Sequence, residues 1–90
     1  MITFKLPSQL RAMADGRKTI EVEAATLGEA FRRMDETAPM IRSQLLDETG
    51  KVRAFVGIFV NSEQLAALDC GSRALPPGSQ ITIIMAIAGG

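Results

Sequence analysis

The sequence contains no histidine. That removes the usual general base near neutral pH and the commonest metal-ligating side chain. It contains one cysteine, Cys70. No disulfide can close within the chain, and its own thiolates cannot hold a zinc or iron–sulfur centre. A single thiol fits a reducing compartment, and the expected location is the cytoplasm. No Lys or Arg lies next to Cys70 to lower its pKa, Arg73 being the nearest cation, so it reads as a small apolar residue rather than a reactive one. Neither charge is in excess, because ten basic residues cancel ten acidic ones. No basic stripe is available for a phosphate backbone. No long apolar run is present: "IIMAIA" is far too short to span a bilayer. The opening "MITFKLPSQL" lacks an apolar stretch of signal-peptide length. Neither GxGxxG nor GxxxxGK[ST] occurs. The carboxylates fall on solvent faces of helical segments or in turns. The sequence therefore predicts no catalytic set, no metal, no cofactor, no nucleic-acid partner and no membrane partner.

What is present describes one small domain. Ninety residues, 47% of them hydrophobic, can close a modest core. Ile2, Phe4 and Leu6 alternate with Thr3 and Lys5, as a half-buried strand requires. Pro7 and Ser8 end it. Residues 9–15 are ambiguous, a loop with a helical turn, and Asp15-Gly16 signals a reversal. "KTIEVEA" alternates again, with Ile20 and Val22 inward, so the first two strands form an antiparallel pair. The period then changes. Leu27, Ala30, Phe31, Met34 and Ala38 share one helical stripe. Thr26 and Glu29 form a capping box at its start, and Pro39 sets its end. "MIRSQLL" predicts a second short helix and "DETGK" a turn. "VRAFVGIFVN" predicts a third strand, with Val56, Ile58 and Val60 on the core face and Arg53, Phe55, Gly57, Phe59 and Asn61 opposite. Residues 63–75 read as irregular, anchored by Leu65, Leu68 and Leu75. "PPGS" is a tight turn. "QITIIMAI" is the last strand, with Ile81, Ile83, Met85 and Ile87 alternating with Thr82, Ile84, Ala86 and Ala88. This order predicts an α+β domain, a mixed sheet of four to five strands packed on one main helix.

The chain ends "AIAGG". If the last strand holds the chain to about Ile87, three more residues project about 10 Å. Glycine has no Cβ and can enter a channel closed to other residues. The Gly90 carboxylate is ionised at neutral pH. It is a competent nucleophile toward the α-phosphorus of ATP. The acyl-adenylate so formed can be opened by a sulfur nucleophile to a thiocarboxylate, or by an amine to an amide. The expected organisation is a folded domain at 1–87 and a flexible tail at 88–90, comprising Ala88, Gly89 and Gly90.

With these features in place, the sequence resembles the MoaD/ThiS family of ubiquitin-like sulfur carrier proteins. The resemblance rests on "ITFKL", "TLGEAFRRM", "VGIFVN" and "LPPGSQITIIMAIAGG" and covers nearly the whole chain. It lies nearest to the longer MoaD-like carriers, including those of cysteine biosynthesis. It departs from many members at "PGSQI", where they carry an acidic Gly-Asp-Glu turn, and at Met85, where proline is common. The resemblance implies a β-grasp fold and a carrier rather than an enzyme. It also implies activation by an E1-like (MoeB/ThiF-type) ATP-dependent adenylyltransferase, sulfur carriage on Gly90, and delivery to a sulfur-accepting biosynthetic enzyme. Molybdenum cofactor, cysteine, thiamine thiazole and other sulfur metabolites all remain open as products. The alternative is a ubiquitin-like protein modifier or a non-catalytic interaction module. The alternation places Ile84 on the face opposite the core, with Phe55 and Phe59. These three form the expected partner-binding patch.

Overall fold

The structure is a computed structural model that describes residues 1–65 and 73–85. Leu68, Cys70, Ile87, Ala88, Gly89 and Gly90 lie outside the described residues. The elements in order are β1 (Ile2–Lys5), α1 (Ser8–Arg11), a 3-10 turn (Ala12–Ala14), β2 (Thr19–Val22), α2 (Leu27–Thr37), α3 (Ile41–Leu45), β3 (Val56–Val60), β4 (Glu63–Leu65) and β5 (Gln80–Met85). The strands form one mixed sheet in the order β2-β1-β5-β3-β4. Among the described residues only the central β1–β5 pair is parallel, and the other neighbours are antiparallel.

Each strand follows its alternation. Ile2, Phe4, Ile20, Val22, Ile58, Val60, Ile81 and Ile83 are buried beneath the helices. The first reversal uses left-handed backbone at Asp15 and Gly16, with φ of 55° and 79°. The ambiguous segment after β1 resolves into α1 and the 3-10 turn, which bury Leu10 and Ala14. Helix α2 lays its predicted stripe, Leu27, Ala30, Phe31, Met34 and the capping Ala38, against the sheet. Phe31 meets Phe4 edge to face, with ring centroids 5.3 Å apart and planes at 79°, a favoured aromatic geometry.

The start of α2 is capped as the sequence implies, with one change. Thr26 Oγ1 accepts the Glu29 N–H at 3.3 Å. The Glu29 carboxylate reaches back to the Ala25 N–H at 2.9 Å, not to that of Thr26. The same turn is strapped to the segment before β5. Leu27 N–H donates to Arg73 C=O, and Leu75 N–H donates to Ala25 C=O, both at 2.9 Å.

Two assignments are corrected. The third strand begins at Val56, not at the start of "VRAF". Val52 bridges Leu46 instead, the Arg53 N–H goes to Leu45 C=O at 2.8 Å, and Phe55 sits at φ 67°. The alternating pattern runs through Arg53 and Phe55, but the backbone turns there. Residues 63–65, read as irregular, form β4. Three residues with one buried side chain, Leu65, are too few to show a period. Asn61 makes the hairpin between β3 and β4 at φ 56°. It also sets the start of β5: its N–H donates to Gln80 C=O at 2.7 Å, and its Oδ1 accepts the Gln80 N–H at 3.0 Å.

Truncating Phe31 to alanine should cost about 3–5 kcal/mol, a large share of the 5–15 kcal/mol usual for a domain. Urea denaturation would show it as a lower midpoint at unchanged slope. A second expectation concerns the turn after α3. The Thr49 hydroxyl, and then the Lys51 and Thr49 N–H groups and Arg53, hold the exposed Asp47 carboxyl below its ordinary value, against a smaller opposing effect of desolvation. A group with a depressed folded pKa stabilises above its unfolded pKa and loses that contribution as pH falls through the folded one. The stability difference between the wild type and Asp47→Ala should therefore be present at neutral pH and vanish on acidification through the carboxylate range.

Candidate functional site

Residues directly opposite one another across a ladder share a face. Phe4, Ile81, Val60, Ile58 and Ile83 make the helix-covered face. Lys5, Thr82, Phe59, Gly57 and Ile84 make the other. Ile84 is thus forced outward by the same register that buries Ile83, and it is 52% exposed. Phe59 is half-buried. Gly57, opposite Ile84, explains why. A Cβ at Gly57 would stand 3.3 Å from the Phe59 ring and 3.9 Å from Ile84 Cβ. The ring therefore occupies the space a side chain would fill, and an aromatic covers a strand glycine. Phe59, Gly57 and Ile84 form one apolar surface on the open face.

Phe55 reaches this surface differently from the sequence expectation. It lies one residue before β3, in left-handed backbone, and is 63% exposed. A non-glycine residue at positive φ is uncommon. Because Val56 is opposite Met85 and Gly57 is opposite Ile84, Phe55 borders the end of the sheet where β5 finishes. The structure brings Ile84 and Phe59 together on the strands and sets Phe55 at their margin. Ala88, Gly89 and Gly90 lie beyond Met85, the last described residue of β5.

The end of β5 has a basic side. The connection from β1 to β2 carries Arg11, Arg17 and Lys18 against Asp15, with Lys5 on the neighbouring strand end. Such a rim favours approach of an acidic surface, within the reach salt allows. One contact there escaped the sequence reading: Gln9 Nε2 donates to Met85 C=O at 3.2 Å. A side chain binding a carbonyl 76 positions away leaves no periodic trace.

On the helix side, an open cleft of about 340 Å³ is lined by residues including Asp35, Arg42, Asp47, Glu48 and Arg53. Both of its arginines are engaged internally. Arg42 pairs with Asp35 at 3.3 Å, and Arg53 Nε donates to Ser43 C=O at 2.9 Å. Among the described residues no three His, Cys, Asp or Glu side chains are placed to hold a metal. No helix among them is long and apolar enough to cross a membrane.

A mixed sheet with parallel first and last strands at its centre and one long helix across one face defines the ubiquitin-like β-grasp class. Known proteins narrow this. No protein-family model matches the chain. The sulfur carrier protein CysO of Mycobacterium tuberculosis is 31% identical over 91 residues, covering 99% of this chain and 98% of the relative. The crystal structure of Mycobacterium tuberculosis CysO superposes with a TM-score of 0.82 at 28% identity, over 97% of this chain and all of that one. A chain of the Amycolatopsis orientalis BexX/CysO complex gives 0.81 at 27% identity, over the whole of both chains. SAMP1 of Haloferax volcanii gives 0.75 at 23% identity, over 99% of this chain and 98% of that one, which shows the fold alone. The chain belongs to the family of CysO sulfur carrier proteins. Members of this family are small carriers, not catalysts.

The open face bears little of the core's load. Ile84→Glu should leave thermal unfolding within about 0.5 kcal/mol of the wild type, as surface substitutions generally do. The same change at buried Ile83 should prevent folding, because it strands a carboxylate in the core. Circular dichroism melts compare the two.

Proposed function

We propose that this chain carries sulfur on the carboxylate of Gly90 and donates it in cysteine biosynthesis. The observation that carries the reading is the match to sulfur carrier proteins along 99% of the chain. The fold supports it: β5 is central and is described as far as Met85, five residues before Gly90. Five residues span at most about 17 Å, a reach suited to a pocket in a partner.

The chemistry is the partner's. One carboxylate oxygen of Gly90 attacks the α-phosphorus of ATP, held by an E1-like adenylyltransferase of the MoeB/ThiF type. Pyrophosphate leaves and the acyl-adenylate forms. Hydrosulfide, or sulfur delivered at that oxidation level, attacks the carbonyl carbon and displaces AMP. The product is the thiocarboxylate, which a sulfur-accepting biosynthetic enzyme then consumes. Gly89 and Ala88 present no branched side chain to the pocket. The body contributes docking. Ile84 and Phe59, with Phe55 at the margin, are the apolar surface that the activating enzyme covers, and exposed apolar clusters of this kind mark interaction sites. That the BexX/CysO pair crystallised as a complex agrees with a carrier that works by docking.

Intact mass of the protein co-expressed with its adenylyltransferase and a sulfur source should show one oxygen replaced by sulfur, lost on deleting Gly90 while the circular dichroism spectrum is kept. Ile84→Glu should also lose the modification while remaining folded. Lysine-linked adducts in place of the sulfur form would overturn the carrier reading. Modification of the variant lacking Gly90 would remove the proposed attachment site, and normal modification of Ile84→Glu would remove the docking face.

A further inference from the structure

The Gln9–Met85 contact has a cause in the sheet register. In a parallel ladder, the donors of one strand recur at every second residue. Thr3 N–H donates to Ser79 C=O at 3.1 Å, and Thr3, Phe4 and Lys5 lie beside Gln80, Ile81 and Thr82. The same phase would pair the N–H of residue 5 with the carbonyl of 81, that of 7 with 83, and that of 9 with 85. Position 7 is proline and has no N–H. β1 accordingly stops at Lys5, and the backbone of Gln9 is taken into α1. The last residues of β5 lose their neighbour on that side. On the other side, Val56, opposite Met85, gives its N–H to Arg53 C=O at 3.2 Å. The Met85 carbonyl is the acceptor that the ladder would have matched to residue 9. Gln9 satisfies it from its side chain.

We infer that Gln9 is a positioning residue for the terminus. It holds the carbonyl of Met85, the last described residue of β5, from which the chain runs on to Gly90. This rests on the carrier reading, in which the end of the chain must enter a partner's pocket. Without the contact, β5 has a neighbour on one side only from Ile83 onward. Met85 is then held from the β3 side alone, opposite Val56. With Met85 held less firmly, fewer encounters place the Gly90 carboxylate in line with the α-phosphorus. The docking face on Ile84 and Phe59 is untouched. The loss therefore falls on kcat, not on KM. A single exposed hydrogen bond sets its size at about two- to fivefold.

Three variants of the full chain separate this role from packing. Gln9→Glu keeps the size, removes the donor and sets a carboxylate against the carbonyl oxygen. Gln9→Ala removes both. Gln9→Lys keeps a donor of similar reach. Two readouts apply. The first is the backbone order parameter of Met85 and the amides after it, from nitrogen-15 relaxation. The second is steady-state pyrophosphate release with ATP and a purified MoeB/ThiF-type adenylyltransferase. Gln9→Glu and Gln9→Ala should lower the Met85 order parameter and reduce kcat two- to fivefold at unchanged KM, and Gln9→Lys should restore both. An unchanged order parameter in Gln9→Glu overturns the proposal, as does a Gln9→Lys variant no better than Gln9→Ala. If the wild-type chain is never adenylated, the carrier reading fails. The order parameter alone then decides whether Gln9 anchors β5.

Discussion

The first and last strands lie side by side at the centre of the sheet and run the same way, and the rest of the molecule is arranged around that pairing. Parallel neighbours cannot be joined by a hairpin. Everything between β1 and β5 must leave this pair and return. β2 folds back on the outer side of β1, α2 crosses the covered face, and β3 returns antiparallel on the outer side of β5. Joining strands so distant in sequence costs loop-closure entropy before any contact is made. The buried set that meets under α2, with Phe4 and Phe31 at its centre, offsets it. A consequence follows for the end of the chain. β5 is paired with β1 over Gln80–Thr82 and with β3 over Ile81–Met85, so the sheet holds the strand from which the chain runs on to Gly90.

Register also decides which residues face outward. The side-chain period of a strand is two, so a slip by one residue would exchange Ile83 for Ile84 and Ile81 for Thr82. Two local devices oppose the slip at the start of β5. Asn61 exchanges hydrogen bonds with both backbone groups of Gln80, and the turn before the strand closes from Ser79 onto Pro76 C=O through both its N–H and its hydroxyl, at 3.1 and 2.7 Å. The exposure of Ile84 is thus enforced by contacts at the far end of its own strand. Its apolar character is a separate choice, since the open position would accept a polar residue such as its neighbour Thr82.

Where periodicity is long, the sequence is legible. Four residues of α2 and the capping Ala38 at helical spacing, with the alternation of β1, β2 and β5, identify the covered face almost residue by residue. Short elements are opaque: α1 is four residues and β4 is three. The boundary of β3 shows a different limit. Arg53 and Phe55 continue an alternating pattern, yet the chain turns at Phe55. The cause is tertiary, because Arg53 is bound to Leu45 and Ser43 at the end of α3. The candidate site divides the same way. Ile84 and Phe59 follow from alternation. The fit of the Phe59 ring over Gly57 and the reach of Gln9 to Met85 depend on distances between elements that no single segment encodes.

The absence of histidine belongs to the same account. In the proposed role the reacting atom lies at the chain terminus and the catalytic groups belong to the partner, so the domain needs to supply only binding energy and direction. A docked body converts attack by the terminus into an intramolecular step, with an effective concentration set by the arm. That concentration falls slowly as an arm grows and collapses when the arm cannot span the distance. A Met85 held less firmly lowers that concentration, which is how a glutamine outside the docking face bears on the rate in the proposed role.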